Sequence, residues 1–104
     1  MNLTYAKQAL RDLNDIYDHI ATDLDNEQAA SRLIDKIMDA AEQLCTFPKM
    51  GAVLSSIVDI PNEYRFLVCE NYLTFYRMMG NQIQIDRVLY GPSDYLRTLL
   101  GKTH

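Results

Sequence analysis

The sequence predicts an α+β fold: an N-terminal helical hairpin, an antiparallel sheet and a short C-terminal helix. Three observations predict it. Apolar residues recur at helical spacing from Ala6 to Leu44 in two separate stripes. Runs rich in aromatic and β-branched residues follow, divided by short turn signals at Glu70-Asn71 and Gly80-Asn81. A Gly91-Pro92 break then leads into a last helical run.

Taken in order, residues 1–5 are long enough for a short strand only. Thr4 offers an N-cap for the first helix, without the acidic or amide residue that completes a capping box. Leu10, Leu13, Tyr17, Ile20 and Leu24 step by three and four and form one stripe, leaving Lys7, Asp12, Asp15 and Asp18 as solvated positions. "DLDNEQ" interrupts the pattern, with Asp25 as N-cap and Gln28 completing its box. The second stripe is Ala30, Leu33, Ile34, Ile37, Ala41 and Leu44, ended by Pro48 and Gly51. The helices are too short for a coiled coil, so packing on a sheet is their expected use.

"AVLSSI" is a weak strand, and "YRFLVCE", "YLTFYRMM" and "QIQIDRVLY" are strong ones. Tight turns make them an antiparallel meander. The final helix is expected from Ser93 to Leu100, with Pro92 in its first turn. Alternation places Leu73, Phe75, Arg77 and Met79 on one face and Tyr72, Thr74, Tyr76 and Met78 on the other. Both faces are apolar, whereas a sheet with one wet face alternates more cleanly. The hairpin covers one face. The tail or a second polypeptide has to cover the other, unless the twisted sheet buries both.

At 104 residues, with 48% hydrophobic content, one domain spanning 1–104 is expected. The net charge of −4 argues against broad nucleic-acid binding, which draws on surplus Lys and Arg. Cys45 and Cys69, with His19 and His104, show no metal-ligand spacing. No cofactor motif is present. Nothing reads as a signal peptide or membrane span, so a cytoplasmic protein without membrane association is expected.

The runs "DLNDIYDHIATDL", "AASRLIDKIMDAAEQLCTFPKMG", "YRFLVCENYLTFYRM" and "IDRVLYGPSDYLRTLL", in this order, resemble the RelE/ParE superfamily of toxins from type II toxin–antitoxin systems. The resemblance spans nearly the whole chain. It implies a helical hairpin on a curved antiparallel sheet, and a cognate antitoxin that wraps and neutralises the toxin. It also implies growth inhibition through one of two targets. RelE-like members cleave mRNA on the ribosome, and ParE-like members act on DNA gyrase.

Metal-free RNA cleavage needs a base for the 2′-hydroxyl, cations for the phosphorane and an acid for the leaving oxygen. By this resemblance the candidate catalytic residues are Arg65, Arg77, Arg87, Tyr90 and Tyr95. Strand phase puts Arg65 and Arg77 on one face, while the position of Arg87 depends on register. Positions where such nucleases carry basic residues hold Leu67 and Leu73, and Pro92 and Ser93 follow Gly91. Losing one charge-stabilising group costs about 100- to 1,000-fold in rate. Ordinary surface ion pairs are the competing explanation for the arginines. The antitoxin is expected on Leu67, Leu73, Phe75 and Met79, and gyrase inhibition is favoured over the RelE-like alternative of an mRNA endonuclease.

Overall fold

The computed structural model describes residues 1–101, so His104 lies outside the described residues. The elements are β1 (Asn2–Tyr5), α1 (Lys7–Asp18), a π-helical turn (His19–Asp23), α2 (Glu27–Gln43) and β2 (Ala52–Val53). A 3-10 turn (Leu54–Ser56), β3 (Arg65–Cys69), β4 (Tyr72–Met79), β5 (Gln82–Tyr90) and α3 (Tyr95–Leu100) complete the chain. The sheet order is β1-β5-β4-β3-β2. The last four strands form the expected antiparallel meander, but β1 joins the far side of β5 in parallel, so the sheet is mixed. The connection from β1 to its parallel neighbour β5 runs through both helices and β2–β4, far longer than a hairpin turn.

Local chemistry sets the helix ends. Thr4 pairs with Gln84 inside the sheet, and the Ala6 N–H donates to the Ile85 carbonyl at 2.9 Å. The strand therefore runs straight into α1, and Ala6 takes the N-cap position that Thr4 was expected to hold. Ahead of α2, Asp25 adopts φ 51° as a turn residue. The cap is Asn26, whose Oδ1 accepts from the Ala29 N–H at 3.0 Å.

The buried stripe of α1 is Ala9, Asp12, Leu13 and Ile16, while Leu10 is 47% exposed. Small Ala9 and polar Asp12 hide this phase from a count of large apolar residues. The Leu24 N–H donates five residues back, to the His19 carbonyl at 3.2 Å. This π turn inserts a residue into the helical repeat and leaves Leu24 61% exposed. Of the expected second stripe, Ala30, Leu33, Ile37, Ala41 and Leu44 are buried and Ile34 is partly buried against the core.

The core lies between the helices and one face of the sheet. Tyr76, Ile83, Ile85 and Val88 meet Leu13, Ile16, Leu33 and Ile37 there. On the opposite face Phe75 is fully buried beneath Tyr64, Phe66 and Tyr95, whose ring centroids lie 6.5, 6.1 and 5.5 Å away. The tail and the segment before β3 thus cover the centre of the second face. Exposed apolar side chains remain at its margins, with Val68 at 66% and Met79 at 46%.

Turn residues end the strands where the sequence predicts. Glu70 has φ 54° and Gly80 has φ 61°. "AVLSSI" departs from expectation: only Ala52–Val53 pairs, and Leu54 turns inward to full burial. The helix α3 starts at Tyr95 rather than Ser93, which leaves Pro92 outside it. Between β4 and β5, Tyr76 faces Ile85 while Phe75 faces Arg87, so Asp86 is an extra residue forming a β-bulge.

Candidate functional site

The three arginines occupy separate environments. Arg65 pairs with Tyr76 in the β3–β4 register, which places it on the helix-facing side. Its guanidinium donates to the Gly51 carbonyl at 2.9 Å and the Lys49 carbonyl at 3.3 Å. The Tyr76 hydroxyl donates to the Pro48 carbonyl at 2.8 Å and accepts from the Gly51 N–H at 3.0 Å. Arg65 and Tyr76 together tie down the loop after α2. Arg77 points to the other face, so the shared face expected from strand phase is corrected by the register.

Arg77 Nε donates to Asp86 Oδ2 at 2.7 Å, and its guanidinium carbon lies 5.5 Å from the centre of the Tyr64 ring. Gln84 donates to the second Asp86 oxygen at 2.6 Å. Burial raises the Tyr64 hydroxyl pKa, and the charge of Asp86 and a hydrogen bond to it raise it further. The bulge brings Asp86 within reach of Arg77 and Gln84 without removing Ile85 or Val88 from the core.

Arg87 donates through Nε to Asp12 Oδ2 at 2.8 Å and through a terminal nitrogen to Asp12 Oδ1 at 2.9 Å. The Val88 N–H also donates to Asp12 Oδ2, at 2.9 Å. β1 pairs only with residues 82–85 of β5, and Asp12 satisfies the edge beyond. The Asp12 hydrogen bond holds the Arg87 pKa above its ordinary value, against the opposing effect of burial. Asp12 was expected in solvent. Its position three residues after Ala9 and four before Ile16 was the signal for its burial.

Tyr90 is 47% exposed and its ring lies 5.5 Å from that of Tyr72. Tyr95 instead stacks on Phe75. The five candidates therefore do not converge on one point. Among the positions expected to receive an antitoxin, Leu73, Phe75 and Met79 share the outer face, but Leu67 pairs with Thr74 and packs toward the helices. Phe75 is covered, so it offers no surface here.

A groove of about 530 Å³ lies between the end of α1 and the beginning of β4 with the end of β5. Ile16, Leu33 and Val88 form its buried floor, and exposed Leu24 and Tyr90 reach its rim. Among the described residues, no His, Cys, Asp and Glu side chains form a group of three or more placed to hold a metal. No helix of the described residues is long and apolar enough to cross a membrane.

The family model for the ParE toxin of the type II toxin-antitoxin system, parDE, matches residues 3–95. The chain belongs to this ParE toxin family. The match takes in all five candidate catalytic residues and runs from β1 to the first residue of α3. A solved structure of the chromosomal ParDE TA system from P. aeruginosa superposes with a TM-score of 0.72 at 28% identity, covering 86% of this chain and 95% of that one. No curated protein sequence matches the chain. The ParE toxin fold accounts for the helical hairpin, the meander and the short tail helix found here.

Proposed function

We propose that this ParE-family toxin acts by binding rather than by cutting RNA. In this reading a cognate antitoxin neutralises it, and the free toxin inhibits DNA gyrase. The observation that carries the reading is the commitment of its sheet arginines. Arg65 is bound to backbone carbonyls on the helix side, Arg77 to Asp86, and Arg87 to Asp12. Phosphorane charge is stabilised by cations that converge on one phosphate. Here they diverge, and two of them already face carboxylates.

The neighbouring ParDE structure from P. aeruginosa supports an antitoxin partner. Apolar side chains left at the sheet margins, such as Val68 and Met79, provide area for protein contact. The deciding experiment adds purified, antitoxin-free protein to translating ribosomes and, separately, to gyrase with supercoiled DNA. Intact messenger with impaired gyrase is the expected result. Codon-phased cuts that disappear in Arg65→Ala or Arg87→Ala overturn the proposal.

A further inference from the structure

We propose that the groove beside the π turn seats a segment of the antitoxin carrying a large apolar side chain flanked by lysine or arginine. This rests on the antitoxin reading above and assigns it a place and a chemistry. The floor is made of core residues, so a side chain entering the groove extends the hydrophobic core rather than meeting a polar surface. Leu24 stands at one rim because the π turn displaces it from the stripe of α1, and it is 61% exposed. Tyr90 stands at the other rim, 47% exposed. Two large apolar side chains held in water on either side of an apolar trough are the features a partner's anchor would desolvate.

The charge of the lining selects the anchor's neighbours. Asp12, Asp15 and Glu70 line the groove, and among the described residues no lysine or arginine does. Asp12 is neutralised by Arg87. Asp15 is exposed and has no ion-pair partner among the described residues. Glu70 meets Lys36 at 3.4 Å, but both side chains are more than half exposed, so that pair is weak and a partner's cation can replace it. His19 at the rim is engaged with Asp23 at 3.0 Å. A segment with acidic flanks is repelled at Asp15 and Glu70, whereas a basic one gains at both.

The full chain is to be titrated with the protein encoded beside it, as wild type and as Asp15→Lys and Leu24→Glu. Both positions are exposed, so both variants are expected to keep the wild-type melting temperature. Leu24→Glu is expected to weaken the complex about tenfold or more, as loss of an apolar contact at an interface does. Asp15→Lys is expected to weaken it about fivefold at low salt, with the difference shrinking as salt is added. Amide exchange at residues 19–24 is expected to slow in the wild-type complex. A tight complex in which either variant binds like wild type, or in which these amides exchange as in the free protein, overturns the groove and leaves the antitoxin reading standing. Absence of any complex overturns both.

Discussion

Asp12 and Arg87 meet across 75 residues of sequence in a two-pronged ion pair, with contacts of 2.8 and 2.9 Å. The same carboxylate accepts the Val88 N–H, so one side chain joins α1 to the edge of β5. Asp12→Ala leaves a half-buried guanidinium and a backbone donor without partners. Because the Arg87 side chain is 23% exposed, water recovers part of the loss. The expected destabilisation is about 2 kcal/mol, below the usual cost of breaking a fully buried pair. Urea unfolding measures it, and a double-mutant cycle with Arg87→Gln isolates the pair. Additivity within experimental error rejects the coupling.

The loop after α2 offers a second test. Tyr76→Phe removes a donor to Pro48 and an acceptor for Gly51 while keeping the buried ring. The expected loss is about 1–2 kcal/mol, with faster amide exchange at Gly51. Gly51→Ala acts on the same contact from the other side. A Cβ there falls 2.6 Å from the Tyr76 hydroxyl and 2.8 Å from the Phe66 carbonyl oxygen. Its expected cost is larger, about 2–3 kcal/mol from forced displacement. Equal melting temperatures for wild type and Gly51→Ala contradict the packing described.

Alkaline pH is expected to unfold the protein through its tyrosines. Burial raises the hydroxyl pKa of Tyr5, Tyr64, Tyr72 and Tyr76 above the ordinary 10.0. The folded state therefore holds these protons more tightly than the unfolded chain does. The associated stability is fully present below about pH 10 and is lost as pH rises through the folded values. Phenolate absorbance should lag behind free tyrosine and then rise together with loss of helicity. Titration of all seven tyrosines at the ordinary value, with the fold intact, is the contrary result.

Tyr95 shields Phe75 from solvent on the outer face. Tyr95→Ala is expected to cost about 1–2 kcal/mol through lost ring contact and burial. It should also increase binding of a fluorescent hydrophobic dye. Unchanged dye binding means that Tyr64 and Phe66 suffice to cover the ring.

How far the sequence exposes the structure depends on which force sets each feature. The strands β4 and β5 begin and end where predicted because Glu70-Asn71, Gly80-Asn81 and Gly91-Pro92 fix them by backbone chemistry alone. The inner stripe of α2 is legible because large apolar residues carry it. That of α1 is not, since Ala9 and Asp12 occupy half of its buried positions and the π turn shifts the repeat. The parallel seat of β1 and the opposite faces of Arg65 and Arg77 depend on long-range register, which four- or five-residue strands do not encode locally. For the same reason the pairing of Asp12 with Arg87 stays hidden until the sheet is assembled, although the phase of Asp12 with Ala9 and Ile16 marks it for burial.

The bulge at Asp86 makes spacing a constraint in its own right. Ile85 and Val88 are three residues apart, yet both point inward. Removing one of residues 86–87 would restore plain alternation and keep both inward, whereas a deletion elsewhere in β5 would rotate the residues beyond it by half a pleat. Loss of Asp86 itself would cost the contacts with Arg77 and Gln84, while loss of Leu89 would turn Tyr90 away from Tyr72. A single-codon deletion is therefore absorbed at the bulge and not in the regular part of the strand.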